Sequence, residues 1–110
     1  MKRTTVLVLT GLGMLGLGAT SAVAQGPNGS ALYSQNCSPC HGAKGVPSKG
    51  MVSVYPGLKS LGDSAYQASV SADSIGGVIR NGFGKMKGYG SKFSAAEVAA
   101  MAQFVKSLAP

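Results

Sequence analysis

Both cysteines and the only histidine of this 110-residue chain lie within five consecutive positions, Cys37-Ser38-Pro39-Cys40-His41. On a helix, residues at i, i+3 and i+4 share one face, so the two thiols and the imidazole can point to the same side. Two cysteines are too few for a disulfide scaffold, and these three side chains cannot supply the four ligands of a structural zinc site. The spacing therefore predicts that the three side chains bind one planar ligand together.

This spacing is that of covalent c-type haem attachment. Cys37 and Cys40 would form thioethers with the haem vinyl groups, and His41 would bind the iron through Nε2. Two alternatives remain open. The pair could form a redox disulfide of the thioredoxin kind, which needs a βαβ core that the sequence does not predict. It could also form a plain structural disulfide, with His41 unrelated to it.

The composition of the chain favours a bound group in the core. The length allows a single domain, and 45% hydrophobic with 12% charged residues argues against disorder. The chain has 17 glycines, no tryptophan and only three acidic residues, which leaves little room for a carboxylate active site. A small domain of this kind has a marginal core, and a haem would complete it.

Residues 1–24 have the pattern of a secretory signal peptide. Lys2 and Arg3 precede an apolar stretch, and Ala22-Val23-Ala24 is a small-x-small cleavage pattern. The apolar stretch, residues 4–19, is shorter than the ~20 residues of a spanning helix. We therefore expect a domain at 25–110, cleavage near Ala24 and a periplasmic location, with a retained N-terminal anchor as the alternative.

Helical signals recur along residues 25–110, and the sequence predicts an all-α domain. Four helices are expected. The first runs from Gly29 to His41, and the second begins at Asp63 or Ser64 and includes Tyr66. The third is indicated by the i, i+3, i+4 spacing of Ile75, Val78 and Ile79 after a cap at Ser71 or Asp73, and the fourth begins after Ser94. Residues 42–62 are expected to be a loop, because they contain five glycines and two prolines. Asn81-Gly82 is expected to end the third helix.

The last helix has the clearest start signals. Ser94 and Glu97 have the spacing of a capping box, and Phe93 and Val98 have that of a hydrophobic staple. An apolar stripe at helical spacing follows, with Phe104 beside it: Val98, Met101, Val105 and Leu108.

With these features the chain resembles the class I monohaem c-type cytochromes from about Gly29 to Leu108. Gly29, Tyr33 and the Cys37–His41 motif resemble the N-terminal helix of that family, and 93–108 resembles its C-terminal helix. The resemblance implies a cytochrome c-like fold of three to five helices wrapped around one haem c. It also implies that Phe104 crosses the first helix near Gly29 and Tyr33.

The segment 81–86 resembles the family's loop that presents the sixth iron ligand, which implies Met86 as that ligand. Met51 follows His41 too closely, and Met101 lies on the apolar stripe of the last helix. Lys87 follows Met86 where the family often has proline. Pro56-Gly57-Leu58 resembles the family's Pro-x-Leu segment, which implies the Pro56 carbonyl as acceptor for His41 and Leu58 as a haem contact.

The resemblance implies a one-electron carrier rather than an enzyme, because iron held by His and Met has no open position. The alternatives are an electron-transfer subunit dedicated to one dehydrogenase or oxidase, and a haem ligand sensor or peroxidase-like enzyme. The net charge of +7 favours acidic redox-partner proteins. The lysines expected around the haem edge are Lys44, Lys49, Lys85, Lys87 and Lys92. We expect a monomer, with no nucleic acid and no small-molecule substrate.

Overall fold

The computed structural model describes residues 26–109, together with the isolated glycines 11, 13, 16 and 18. Residues 26–109 form six helices and no strand; the helices are α1 (Gly29–Asn36), α2 (Ser38–His41), α3 (Lys49–Val54), α4 (Ser64–Ser69), α5 (Ala72–Asn81) and α6 (Ala95–Lys106). The signal peptide expected at 1–24 lies outside the described residues, apart from those glycines. Within the described part, no helix is both long and apolar enough to cross a bilayer.

The core forms where α6 packs against α1 and α5. Its buried members are Tyr33, Ile75, Ile79, Val98, Met101, Ala102 and Val105. Three of the four residues of the expected α6 stripe are buried, and Leu108 packs against the cluster from its edge. The predicted stripe on α6 is therefore confirmed. On α5, Ile75 and Ile79 are buried as expected, whereas Val78 is 36% exposed.

The helices α1 and α6 cross in close contact. A Cβ atom on Gly29 would collide with the backbone carbonyl of Ala100, so only glycine fits at this crossing. Four residues further along α1, the Tyr33 ring meets Phe104 with 5.0 Å between ring centroids. The crossing implied by the resemblance is thus present.

Side-chain caps fix where α4, α5 and α6 begin. At α6, the Ser94 hydroxyl accepts from the Glu97 N–H, and the Glu97 carboxylate accepts from the Ser94 N–H, as the capping box predicted. Ser71, not Asp73, caps α5, because its hydroxyl accepts from the Ser74 N–H. Asp63 caps α4 through the Tyr66 N–H.

Two helix boundaries differ from the expectation. The single helix predicted over 29–41 is divided at Cys37, because Pro39 has no N–H to continue the hydrogen bonds of α1. The loop predicted at 42–62 contains α3, which Ser48 caps through the Met51 N–H. Its flanking prolines, Pro47 and Pro56, lie outside this helix and do not interrupt it.

A buried glutamine joins α4 and the preceding loop to α6. Gln67 is 5% exposed, and its amide nitrogen donates to the carbonyls of Leu61 (2.6 Å) and Val105 (2.8 Å). The Lys106 ammonium donates to the carbonyls of Gln67 (2.7 Å) and Val70 (2.9 Å) at the end of α4. These bonds fix the segment that follows α3 against the C-terminal end of α6.

Candidate functional site

The Cys-x-x-Cys-His motif occupies the single turn of α2 and the residue before it. The N–H groups of Cys40 and His41 both donate to the Cys37 carbonyl, at 3.2 and 2.9 Å. Both cysteines are free thiols; Cys37 is half-buried and Cys40 is exposed. The backbone thus places the three side chains on one short turn, as their spacing predicted.

His41 is the last residue of α2, and its ring is partly buried. Its Nδ1 atom is buried and has no hydrogen-bond partner among the described residues. Burial lowers the pKa of His41 below its usual value, which favours the neutral imidazole that binds metals. A buried ring nitrogen without a partner is unusual for a structural histidine and is consistent with a ligand.

The turn after His41 is fixed by several backbone contacts. Gly42 has a φ of 80°, and a Cβ atom there would collide with the Val46 carbonyl. The Tyr33 hydroxyl donates to the Gly42 carbonyl at 2.7 Å. The Gly45 N–H donates to the same carbonyl at 3.1 Å, and the Gly45 carbonyl accepts from the Leu61 N–H at 2.8 Å. No pattern in the sequence predicted this role of the Tyr33 hydroxyl.

Pro56 and Leu58 lie in the turn after α3. Pro56 is exposed, and Leu58 is partly buried, with its N–H donating to the Tyr55 carbonyl at 2.9 Å. The structure has no hydrogen bond between the Pro56 carbonyl and His41, whose Nδ1 is unpartnered. Both assignments remain predictions for the haem-loaded protein.

Met86 lies in a tight turn after α5 and is partly buried. Phe83 and Met86 exchange two backbone hydrogen bonds, at 3.0 and 2.9 Å. Beyond them, the N–H groups of Tyr89 and Gly90 donate to the carbonyls of Ile79 and Arg80, at 2.8 and 3.0 Å. The loop is therefore closed on itself at Met86 and tied back to α5 by residues that follow Met86.

The other methionines have different surroundings. Met101 is 0% exposed within the core, which confirms its expected packing role. Met51 lies in α3 and is partly buried. Met86 remains the predicted axial ligand, since it is carried by the turn that the resemblance indicated.

Two lysines and two aromatic rings form a lysine–aromatic cluster near the motif: Lys87, Tyr89, Lys92 and Phe93. The two rings stack with centroids 5.8 Å apart, and Lys87 Nζ lies 5.2 Å from the centroid of Tyr89. Lys92 Nζ donates to Asn36 Oδ1 at 2.8 Å, directly before Cys37. Burial, and to a smaller extent the nearby Cys37 and Cys40, raise the pKa of Tyr89. The cluster therefore lies beside the two cysteines.

Several large apolar side chains are exposed. Phe83, three residues before Met86, is 78% exposed. The others are Val46, Val52, Val54, Tyr55 and Val78.

Comparisons with known proteins agree with this geometry. A family model described as cytochrome c oxidase, cbb3-type, subunit III matches residues 24–105. The chain belongs to this family of c-type cytochromes. Its fold is similar to that of the solved KustC0563 c-type cytochrome, with a TM-score of 0.68 and 28% identity, over 76% of this chain and 99% of that one. No curated protein matches the chain.

Membership of this cytochrome family confirms the resemblance and the fold class, and it implies one covalently bound haem c. The residues present fit that group. Two free thiols and an imidazole with an unpartnered buried nitrogen lie on one turn, and a separate turn carries Met86. The part of the chain that the structure describes has no cluster of three or more His, Cys, Asp or Glu residues that could hold another metal.

Proposed function

We propose that this cytochrome is an exported one-electron carrier whose haem iron is ligated by His41 and Met86. The observation that carries the proposal is the α2 turn, which brings together two free thiols and a half-buried imidazole with an unpartnered nitrogen. The family match supports electron transfer, and the sequence pattern of residues 1–24 supports export to the periplasm.

Each of these side chains has a definite role. The thiols of Cys37 and Cys40 would hold the haem as thioethers, and His41 would bind the iron through Nε2 with Nδ1 free to donate to a carbonyl. Met86 would supply the second protein ligand to the iron. When bound, the haem supplies one-electron chemistry at an iron without an open coordination position. In this role the side chains of the motif and Met86 bind the haem and do not act on a small-molecule substrate.

A second candidate role is an electron-transfer subunit dedicated to one oxidase. The description of the matching family as subunit III of a cbb3-type oxidase favours this alternative. The two roles differ in a simple way, because a dedicated subunit copurifies with its enzyme at fixed stoichiometry. A carrier is recovered alone, as a monomer.

The partners of the carrier are redox proteins with acidic docking surfaces. The cluster brings Lys87 and Lys92 together at Tyr89, and the hydrogen bond of Lys92 to Asn36 ties it to the residue directly before Cys37. Of the three acidic residues, Asp63 and Glu97 are occupied in helix caps. The face around the motif is therefore positively charged and attracts an acidic partner.

The proposal is tested by spectroscopy of the matured protein and of two methionine variants. Wild type should keep its colour in acidified acetone, since thioethers hold the haem, and should show the long-wavelength absorption band of methionine-ligated ferric haem. Met86→Ala should abolish that band and lower the reduction potential, whereas the control Met51→Leu should keep both. Extraction of the colour would exclude covalent attachment, and a band retained in Met86→Ala would exclude Met86 as the ligand.

A further inference from the structure

Tyr33 is the bulkiest of the fully buried side chains, with 1% of its surface exposed. A buried tyrosine hydroxyl requires a hydrogen-bond partner, and the partner here is the carbonyl of Gly42 at 2.7 Å. Gly42 directly follows His41. The hydroxyl thus connects the core to the backbone beside the proximal ligand.

The Tyr33 ring is held firmly by the core. It packs against Phe104 at 5.0 Å between centroids, and the contact of Gly29 with Ala100 fixes how α1 lies on α6. The hydroxyl is therefore presented from a fixed position. Burial raises the pKa of Tyr33 to about 12, so the group remains a hydrogen-bond donor throughout the neutral range.

His41 has few constraints of its own. Its backbone N–H donates to the Cys37 carbonyl, while its Nδ1 has no protein partner among the described residues. Apart from the predicted bond of Nδ1 to the Pro56 carbonyl in the haem-loaded protein, the orientation of the ring depends on the position of the backbone at 41 and 42. That backbone is held from one side by the Gly42 N–H bond to the Ser38 carbonyl (2.8 Å) and from the other by Tyr33.

We infer that Tyr33 is a positioning residue for His41, whose hydroxyl holds the Gly42 peptide and thereby sets the angle at which the imidazole meets the iron. The inference rests on the proposed function, since it concerns the iron ligand. The hydroxyl, and not the aromatic ring alone, would then affect the His41 resonances and the midpoint potential of the haem.

Tyr33→Phe is a suitable test because it removes one oxygen and keeps the ring. The Gly42 carbonyl retains its bond from the Gly45 N–H, so no buried acceptor is left unpaired and the variant should fold. In the ferric haem-loaded protein, we expect the hyperfine-shifted NMR resonances of the His41 ring to move, together with a shift of the midpoint potential. Ser94→Ala, which destabilises α6 at its start, should lower the melting temperature and leave the His41 resonances in place.

Coincident His41 resonances in wild type and Tyr33→Phe would overturn the inference, whatever happens to the melting temperature. Resonances that move equally in Ser94→Ala would overturn it as well, since the effect would then follow stability. The wild-type pyridine haemochrome spectrum tests separately whether the protein carries covalently bound haem, on which the proposed function depends. Its absence would overturn the proposed function, and the inference with it.

Discussion

Gly29 allows the close approach of α1 to α6. Its Cα faces the Ala100 carbonyl so closely that a single methyl group has no space. Because the obstacle is backbone, no side-chain rotation can relieve the collision. The close crossing in turn allows Tyr33 and Phe104 to meet, so the position of the haem motif depends on this glycine.

Gly29→Ala should destabilise the protein by about 2 kcal/mol, because the cost of overpacking exceeds the gain in helix propensity. Gly50→Ala is the matched control: it lies in α3, is exposed, and its Cβ would meet nothing closer than Ser48 Oγ at 3.9 Å. The control variant should leave the stability of the protein unchanged or raise it slightly. Thermal unfolding followed by circular dichroism measures the stability of both variants. Equal melting temperatures would contradict the predicted collision between residue 29 and the Ala100 carbonyl.

At the scale of the elements, the short helices depend on their caps. The helices α3 and α4 have six residues each, which is below the length at which a helix is stable alone. Ser48 and Asp63 satisfy N–H groups at their starts. The longer α6 has a reciprocal capping box and carries the largest share of the buried core residues.

Ser94→Ala should lower the free energy of unfolding by about 1 kcal/mol, since the Glu97 N–H loses its side-chain acceptor. Ser53→Ala provides the comparison: its hydroxyl donates to the Lys49 carbonyl within α3, and alanine is a better residue inside a helix. Denaturant titration should therefore show a lower free energy of unfolding for Ser94→Ala and no decrease for Ser53→Ala. A Ser94→Ala midpoint equal to wild type would show that the capping box contributes nothing.

At the scale of the whole molecule, the basic side chains differ in their surroundings. The chain has 10 basic and 3 acidic residues. Lys87 and Lys92 converge on Tyr89 beside the motif, while Lys106 is used internally at the end of α4. Two of the basic side chains thus form part of the lysine–aromatic cluster near the motif.

Electron transfer to an acidic redox protein should slow as ionic strength rises. Replacing both cluster lysines, Lys87→Gln with Lys92→Gln, should lower the bimolecular rate about tenfold at low salt and flatten its salt dependence. Lys59→Gln, an exposed lysine outside the cluster, should change the rate much less. Stopped-flow mixing measures these rates. A double variant as fast and as salt-sensitive as the control would show that partners dock elsewhere.

The sequence by itself determined the features that depend on neighbours within four residues. The motif Cys37–His41, the capping box at Ser94 and the α6 stripe follow from helix geometry, which a short segment specifies locally. The all-α class followed from the same signals. Local signals were misleading in two places. At 42–62 the glycines and prolines concealed α3, whose start is set by the Ser48 cap. At 29–41 the helical signals concealed the break at Cys37.

The family resemblance implied one long-range contact, the crossing of Phe104 with α1, but only the tertiary structure decided the polar contacts between residues far apart in the chain. The Lys92–Asn36 bond joins positions 56 apart and the Gln67–Val105 bond joins positions 38 apart. The Tyr33 hydroxyl reaches Gly42 only because α1 ends before the motif and the chain turns back. No periodicity encodes such pairs, since they arise when α6 packs against α1 and α5 and brings separate polar groups within hydrogen-bonding distance. The core packing that places those groups is a property of the whole fold.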